Sequence, residues 1–560
     1  MIKKLFVVVT GCLLVSAFCG CGQQVGQKQF AGFVDEHVAK VEPLFYADTH
    51  TQWKAETTGE AAMFAKLKQI RLQVNDIYSD RDDFEFLKKV KASGTVTDPA
   101  LSRQLDRLYY SYLQSRVEPE LLRKMVDLDT DITERYNNYR STIDGREVTQ
   151  SDIYRIMTTT KDCVLRKKTW LASKQVGNVI IDDLLKLVRM RNRAARQLGF
   201  DNHHTRAIVT GEQDVAELDR IFAELDELTR QPYKELKAEV DIILAESYGI
   251  GVDELMPWHY HDPFFQRTPL VYEFDLDLYY KDHDVKLIAQ KFYAGVNLSV
   301  DRILADSDLY DKPGKNPHAF AIDMDRKGDA RILCNLNNDE RWAETILHEL
   351  GHAVYAKYHD NEVPYLLREP AHPLTTEAIA MFFGRLSRNA AWMQQMLGLS
   401  DTEYAEVSRV SSKYLQFQQI LFARWAMVMY NFEKQLYADP DQDLNTLWWG
   451  LVERYQMAQR PPGRPDAGWA SKLHFTVAPC YYHNYMMGEM FASQLHHYIA
   501  VNILKPRPGE EVSYVGQKRA GDYIRTNVLE PAALYHWNEM IERATGEPLT
   551  PKYFVEQFLN

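Results

Sequence analysis

The stretch WAETILHELGHAVYAKY, from Trp342 to Tyr358, contains the pattern H-E-x-x-H at His348, Glu349 and His352. Residues four apart lie one above the other on an α-helix, so both imidazoles can bind one metal ion. Glu349 directly follows the first histidine and can reach a water molecule on that metal. Two neutral imidazoles beside a carboxylate suit Zn²⁺. The stretch therefore predicts a helix that carries one zinc ion per chain.

The flanking residues favour an amphipathic helix. Asn337 or Asn338 is a candidate N-cap, and Asp339 and Glu340 follow in the first turn, where the helix dipole favours negative charge. Apolar residues recur every four positions, at Trp342, Ile346, Leu350 and Val354. The two histidines point away from this stripe, so we expect the helix to line an internal cleft.

A catalytic zinc site needs a third protein ligand and leaves one position open. Residues 375–383 read as the start of a second helix, with Thr375 as a plausible cap and Glu377 in its first turn. An apolar run follows Glu377, which suits a buried ligand. Glu369 is the competing carboxylate, and spacing alone leaves both open.

Composition narrows the class of protein. The 560 residues allow two to four domains or one large one, and a hydrophobic content of 45% supports a sizeable core. The net charge is −12, and the basic residues are scattered rather than clustered. This pattern argues against a nucleic-acid-binding protein and against a basic membrane-binding surface.

The N-terminus is typical of an export signal. Lys3 and Lys4 precede an apolar run over residues 5–18, and Cys21 follows. The pattern resembles a bacterial lipoprotein signal and predicts a signal peptide over residues 1–20, a lipid on Cys21 and a polar tether over 21–29. A plain secretory signal is the alternative. A membrane-spanning anchor is disfavoured because the run is shorter than the ~20 residues required. The predicted location is the bacterial cell envelope, with the lipid as membrane anchor.

The rest of the chain reads mainly as helices. Apolar residues at three- and four-residue spacing predict helices that include residues 61–78, 101–113, 121–139, 215–247 and 386–436. A loop is predicted over residues 308–328, and a short strand over 330–334 leads into the zinc helix. A second loop, 251–269, contains His259 and His261. We favour a packing role for this pair because no cysteine or paired carboxylate completes a second metal site.

Outside the signal region the chain has three cysteines, Cys163, Cys334 and Cys480, which are too few and too distant to imply a disulfide framework. Residues 472–485 concentrate imidazoles, phenols and one ammonium group. Such donors can stabilise an anionic tetrahedral intermediate and a peptide carboxylate. An aromatic core with an exposed lysine is the alternative interpretation of this segment.

Four blocks of sequence carry a family resemblance. They are His318-Ala319-Phe320-Ala321, 30 residues before the first zinc histidine; the H-E-x-x-H motif; residues 367–379; and Trp448-Trp449, Pro461-Pro462 and Lys472-x-His474 through Tyr485. Together they resemble angiotensin-converting enzyme and its bacterial relatives, the peptidyl-dipeptidase A family of zinc peptidases. The resemblance covers nearly the whole chain after the signal region.

The resemblance implies a fold and a set of roles. The fold is mostly all-α, a large helical ellipsoid of two subdomains around a deep central cleft, with a small β element beside the zinc helix. Residues 30–560 form a single catalytic domain. Zn²⁺ is held by His348, His352 and Glu377, and Glu349 is the general base.

The remaining implied roles concern the peptide. Tyr485 and His474 stabilise the oxyanion, and His318 hydrogen-bonds the substrate backbone. Ala319 and Ala321 offer main-chain groups to the extended peptide. Lys472 and Tyr482 bind the C-terminal carboxylate, which results in dipeptide release.

The chain also departs from the family pattern. The glutamine of the carboxylate-binding trio aligns with Tyr260, which leaves strict dipeptide release open. The tyrosine pair is shifted by one residue, so Tyr481 and Tyr482 are alternatives for one role. An aspartate that orients a zinc histidine is replaced by Met381. Three further positions differ: Val452 and Asn484 replace the chloride-binding arginines, so chloride activation is not expected, and Pro317 replaces a cysteine.

The function predicted from these observations is a monomeric zinc metallopeptidase that removes C-terminal dipeptides from small peptides. Two alternatives remain open. One is an endo-acting oligopeptidase similar to thimet oligopeptidase. The other, from a different class, is a catalytically silent lipoprotein that binds peptides.

Overall fold

Helices make up most of the chain in the computed structural model, which describes residues 26–271, 275–463, 467–507 and 510–559. Those before the candidate metal site are α1 (Gln27–Thr58), α2 (Ala61–Tyr78), α3 (Arg81–Ser93), α4 (Pro99–Gln114), α5 (Pro119–Asn138), α6 (Gln150–Thr159), α7 (Cys163–Gln197), α8 (His203–Thr210), α9 (Val215–Tyr248), α10 (Asp277–Tyr280), α11 (Val285–Gly295) and α12 (Asp301–Asp306).

The second half of the chain contributes ten more α-helices to the described residues. They are α13 (Glu340–Tyr358), α14 (Pro373–Gly384), α15 (Ala390–Leu397), α16 (Asp401–Ala438), α17 (Leu444–Gln456), α18 (His474–Val477), α19 (His483–Tyr498), α20 (Lys518–Ile524), α21 (Trp537–Thr545) and α22 (Lys552–Leu559). Short 3₁₀ helices cover 252–254, 257–259, 365–367, 385–388 and 468–471, and π-helical turns cover 499–504 and 525–529. The predicted mostly all-α class is confirmed.

Two antiparallel hairpins complete the described secondary structure. The first, β1 (Ser141–Ile143) with β2 (Arg146–Val148), was not predicted. The second pairs β3 (Phe320–Asp323) with β4 (Ala330–Leu333), and Ala321 faces Ile332. The strand predicted over 330–334 is confirmed, whereas the loop predicted over 308–328 is wrong at β3. The short apolar run of β3 lacks the polar alternation that signals a strand, and it is extended because β4 pairs with it.

Two helix starts differ from the prediction. The N-cap of α13 is Asp339, whose side chain accepts the N–H of Trp342, rather than either asparagine. The N-cap of α14 is His372, which accepts the N–H of Leu374, rather than Thr375. Proline at the first helical position suits this earlier start because its missing N–H would have no partner there. Glu377 therefore lies beyond the first turn, deeper in the packed part of α14.

The N-terminal predictions fall mostly on residues 1–25, which are outside the described part of the chain; they include the signal peptide and Cys21. Helix α1 begins at Gln27, so the end of the tether predicted over 21–29 is helical. No helix among the described residues is long and apolar enough to span a membrane.

The apolar core consists of one large cluster and smaller ones. The large cluster includes α13, α14 and α19, which contribute residues to the candidate metal cleft, and the long helix α16. The largest of the others joins α1, α3 and α4 and also contains Tyr365 and Leu366. A separate core for the N-terminal helices is what two subdomains would produce, while the closing of two halves over a cleft stays a prediction.

Candidate metal centre and peptide cleft

The three predicted metal ligands lie together on two adjacent helices. His348 and His352 are one turn apart on α13, and Glu377 projects from α14. The Nε2 atom of each histidine lies 3.8 Å from Oε2 of Glu377. Among the described residues, they form the one group of at least three histidine, cysteine or acidic residues whose ligand atoms all lie within 4.8 Å of one another. Two imidazoles, one carboxylate and an open side are a catalytic zinc donor set.

Two glycines allow the three helices around this centre to approach closely. A Cβ atom on Gly351 of α13 would lie 2.6 Å from Cα of Ala380 on α14. A Cβ atom on Gly488 of α19 would lie 3.1 Å from Cβ of Glu377. Helix α14 is thereby packed between α13 and α19, which fixes the carboxylate ligand against the histidines.

Hydrogen bonds orient two of the ligands. Nδ1 of His352 lies 2.7 Å from the hydroxyl of Thr376, which leaves Nε2 directed toward Glu377. The Glu377 carboxylate accepts a hydrogen bond from the Tyr481 hydroxyl. Met381 lines the cleft and offers no such bond. Thr376 therefore supplies the contact that orients a zinc histidine, in place of the family's aspartate, at whose position this chain has Met381.

The protonation states suit a bound cation. Burial lowers the pKa of His348 to about 4 and, with His348 as a smaller cause, that of His352 to about 3, so both rings are neutral ligands at pH 7. Burial and then the charge of Glu489 raise the pKa of Glu377 to about 7. A cationic metal would compensate this crowding of buried carboxyl groups. The residues present therefore fit Zn²⁺.

The predicted general base faces the β-hairpin. Burial, followed by the charges of Glu377 and Glu344, raises the pKa of Glu349 to about 8. Its carboxylate accepts the backbone N–H of Ala321 on β3. Within the described residues β3 pairs with no strand except β4, so apart from the Ala321 N–H its other edge remains available to an extended peptide.

A cleft of about 800 Å³ contains this centre. It is lined by the three metal ligands and Glu349, by Ala319 and residues 320–323, by Tyr485 and by residues of α1. The structure thus brings seven of the predicted residues into one cavity: His348, Glu349, His352, Glu377, Ala319, Ala321 and Tyr485. Thr376, which had no predicted role, lines the same cavity.

Three other predicted residues, Lys472, His474 and Tyr482, form a second group near Tyr485. The hydroxyl of Tyr482 accepts from Nε1 of Trp425 at 2.8 Å, and its ring centroid lies 5.2 Å from Nζ of Lys472. The rings of His474 and Tyr482 are 5.1 Å apart, and those of Tyr482 and Tyr485 are 5.4 Å apart. Tyr482, and not Tyr481, is therefore the neighbour of Lys472.

Gln266 is a site residue that the sequence comparison missed. Nζ of Lys472 donates to its Oε1 at 2.7 Å. Tyr260, the aligned position, is buried elsewhere, where its hydroxyl accepts from Lys237 at 2.9 Å and donates to Asp241 at 3.1 Å. Gln266 lies six residues further along the same loop. The sequence signal for Gln266 is its position directly after Phe264 and Phe265 on the loop predicted over residues 251–269.

Two predicted alternatives are not part of the centre. Glu369 lines the cleft, but its carboxylate is held by Arg107 and, at 2.9 Å, by Nη2 of Arg326. Nδ1 of His259 accepts the N–H of Met256, and His261 bonds the N–H of Leu270 and the hydroxyl of Tyr248. This histidine pair stabilises its loop rather than holding a second ion.

Two further residues, His318 and Asn484, lie in surroundings that do not match the roles expected at their positions. His318 is exposed, and it is absent from the residues that line the metal cleft. The amide of Asn484 accepts from Nε2 of Gln213 at 2.9 Å, and Oε1 of Gln213 lies 2.7 Å from His483. This buried network is uncharged, because burial keeps the pKa of His483 well below its ordinary value.

Comparison with known proteins identifies the family of this chain. A family model described as angiotensin-converting enzyme matches residues 25–260 and 279–558. The angiotensin-converting enzyme-related protein of Drosophila melanogaster is 21% identical over 252 residues. That match covers 43% of this chain and 40% of the relative, so it spans less than half the length of either. The metal ligands and residues 472–485 all lie in the second range matched by the family model.

Proposed function

Because this chain belongs to the angiotensin-converting enzyme family and is a metallopeptidase, we propose that it is a zinc enzyme that releases C-terminal dipeptides from small peptides. The observation that supports dipeptide release is the hydrogen bond between Lys472 and Gln266 beside Tyr482. An ammonium group, an amide and a phenol on three different elements form a cluster suited to a terminal carboxylate.

The cleft residues divide the chemistry between them. His348, His352 and Glu377 would hold Zn²⁺, which would supply Lewis-acid activation of water and of the scissile carbonyl. Glu349 accepts a proton from the attacking water and passes it to the leaving amine. The free edge of β3 aligns the peptide, and Tyr485 donates toward the oxygen that becomes negative.

The position of the C-terminal carboxylate sets the length of the product. With the carboxylate at Lys472 and the scissile bond at Glu349, the number of residues between the two points is fixed by geometry. The peptide's N-terminal side leaves through the cleft beside α1, so substrate length on that side is not limited by the carboxylate contacts.

The test uses one peptide of about ten residues with a free C-terminus, its C-terminally amidated twin, and mass spectrometry of the products with and without a chelator. Successive loss of dipeptides from the free form alone, abolished by the chelator, is the expected result. Internal cleavage of both forms would favour the endo-acting oligopeptidase. If neither form is cleaved by zinc-loaded protein, the peptide-binding lipoprotein becomes the better proposal.

The general base has its own test. Glu349→Gln should retain zinc and peptide while turnover falls by ~10²–10⁴-fold. A variant that cleaves as fast as the parent would remove Glu349 from this role.

We also propose that the protein is exported, that a lipid on Cys21 anchors it in the cell envelope, and that it acts as a monomer. The sequence pattern of residues 1–21 supports export and lipidation. Cys21→Ser should move the mature protein from the membrane fraction to the soluble one. Equal membrane association of both forms would contradict the anchor, and light scattering of the detergent-free variant measures its oligomeric state.

A further inference from the structure

A buried carboxylate holds the backbone just before the two tyrosines. Glu433 lies on α16 and is only 3% exposed, and its Oε1 accepts the backbone N–H of Cys480 at 2.8 Å. Cys480 has a φ of +57°, in the left-handed region that residues with a Cβ atom adopt rarely. The hydrogen bond therefore stabilises an unfavourable backbone conformation at a defined position.

This bend separates the directions of the next two side chains. The hydroxyl of Tyr481 reaches the metal ligand Glu377. The hydroxyl of Tyr482 reaches Nε1 of Trp425 instead, and Nζ of Lys472 lies over the ring of Tyr482. Consecutive residues thus contact the metal centre and the carboxylate-binding cluster. A shift in the backbone at Cys480 would displace both hydroxyl groups together.

The other side of the same segment is held in a similar way. Arg191 on α7 donates to the carbonyl of Phe475 at 3.0 Å and to that of Thr476 at 2.7 Å. The hydroxyl of Tyr136 on α5 donates to the carbonyl of Ser471 at 2.9 Å. Three buried or half-buried side chains from separate helices therefore fix the main chain of residues 471–480.

Glu433 has no other evident purpose in the fold. No ion pair involving Glu433 is found within the described residues, and the guanidinium of Arg191 contacts Asp129, Tyr437 and two backbone carbonyl groups. Burial raises the pKa of Glu433 to about 8, so the carboxyl group is costly to keep charged at this position. A leucine or methionine would pack there at lower cost, unless the oxygen atom itself is needed.

We propose that Glu433 is a positioning residue, which fixes the bend at Cys480 and thereby the placement of Tyr481 and Tyr482 between the metal centre and the peptide carboxylate. Its effect on peptides rests on the proposed function, whereas its effect on the backbone does not. The acceptor oxygen is the property that matters, so a neutral glutamine serves in its place.

Four variants test this assignment. Glu433→Leu removes the acceptor while filling the space, Glu433→Ala removes it and leaves a cavity, and Glu433→Gln keeps an oxygen. Asp226→Asn is the control, because it weakens a buried ion pair to Arg424 on the same helix α16 without touching residues 471–485. Either acceptor-free variant is sufficient if the other fails to fold.

Hydrogen–deuterium exchange of the Cys480 amide, measured by mass spectrometry of overlapping peptides, is the readout that does not need activity. Loss of the acceptor should accelerate this exchange by about tenfold or more, since a hydrogen bond to a carboxyl group is removed. Glu433→Gln and Asp226→Asn should leave it close to that of the parent. Equal acceleration in Asp226→Asn and Glu433→Leu, or in Glu433→Gln and Glu433→Leu, would overturn the assignment.

The catalytic readout is the KM of the free peptide and the inhibition constant (Ki) of the amidated peptide, measured as a competitor of the free one. The acceptor-free variants should raise the KM of the free peptide by about tenfold, by loss of a positioned hydrogen-bonding group, and change the Ki of the amidated twin little. Glu433→Gln should restore the parent value. If the parent cleaves no peptide at all, the proposed function fails, and the exchange of the Cys480 amide still decides the positioning role.

Discussion

The hydroxyl of Thr376 lies 2.7 Å from Nδ1 of His352, and Thr376 directly precedes the metal ligand Glu377. One turn of α14 therefore supplies both a ligand and the group that orients a second ligand on α13. A histidine ligand commonly bonds a carboxylate or carbonyl through its other nitrogen, which fixes the ring and its tautomer. A threonine hydroxyl can do the same, and it compensates for the apolar Met381 further along the helix.

Replacing this hydroxyl should weaken zinc binding. We expect Thr376→Val to lower zinc affinity by ~10- to 100-fold, because the ring of His352 loses its orienting contact. Thr376→Ser is the matched control and should bind zinc like the parent. Competition with a chromophoric chelator measures both affinities. If valine and serine variants bind zinc equally well, the hydroxyl has no part in ligand orientation.

Metal content distinguishes the two candidate carboxylates. Glu377→Ala should lose zinc on dialysis, since it removes one of three protein ligands. Glu369→Ala should retain zinc, because that carboxylate is engaged by Arg107 and Arg326 in the native structure. Elemental analysis of the dialysed proteins gives the answer. The reverse pattern would make Glu369 the ligand.

The metal centre could be predicted from local sequence because an H-E-x-x-H helix contains most of its own geometry. Two ligands and the base lie within five residues, and helical spacing alone places them on one side. Spacing alone left Glu369 and Glu377 as alternatives for the third metal ligand, and the family resemblance favoured Glu377. The structure explains that choice through the contacts of Glu369 with two arginines that are distant in sequence.

The parts that sequence could not supply depend on long-range packing. Gln266 and Lys472 are 206 residues apart in the chain, and no local sequence pattern indicates that they are in contact. Strand β3 is extended because β4 pairs with it, and its own residues show no strand alternation. The bend at Cys480 depends on Glu433 of another helix, and a cysteine is not a residue expected in that conformation.

The pH dependence of peptide binding should follow Lys472. Burial lowers the pKa of its ammonium group to about 8, because a low-dielectric environment disfavours the charged form. Below this pH the group is charged and attracts a carboxylate, and as the pH rises through about 8 the charge is lost. For the free peptide, kcat/KM should therefore fall above that pH.

The amidated peptide, used as a competitive inhibitor of free-peptide cleavage, provides the comparison for this effect. It has no terminal carboxylate for Lys472 to bind, so its inhibition constant (Ki) should lack the same step. Lys472→Met should remove the step from the profile of the free peptide. A step of the same size in the Ki of the amidated peptide in the parent protein would show that Lys472 does not bind the terminus.

Gln266 and Tyr260 should respond differently to substitution. Gln266→Ala should raise the KM for the free peptide by ~10-fold or more, because a polar contact to a charged group is removed at the binding site. Tyr260→Phe should leave KM unchanged and lower the free energy of unfolding by about 1 kcal/mol, because Lys237 and Asp241 lose a buried partner. Steady-state kinetics and urea unfolding separate the two effects. If Tyr260→Phe alone raises KM, the residue that binds the peptide carboxylate is Tyr260, as the family resemblance indicated, and not Gln266.

Close packing between α13 and α14 should be sensitive to one added methyl group. In Gly351→Ala the new Cβ atom would lie 2.6 Å from Cα of Ala380, so the two helices must separate. We expect the free energy of unfolding to fall by ~1–3 kcal/mol and zinc affinity to fall with it, since the histidines and Glu377 lie on opposite sides of this contact.

Gly450→Ala on α17 is the matched control for this substitution. Beyond its own helix, no atom of the described residues lies within 4 Å of its added Cβ atom, so alanine should stabilise the helix by up to ~1 kcal/mol. Urea unfolding in the presence of chelator measures the packing effect without the metal. If Gly351→Ala is as stable as the parent under these conditions, the close approach of α13 and α14 does not determine the geometry of the metal centre.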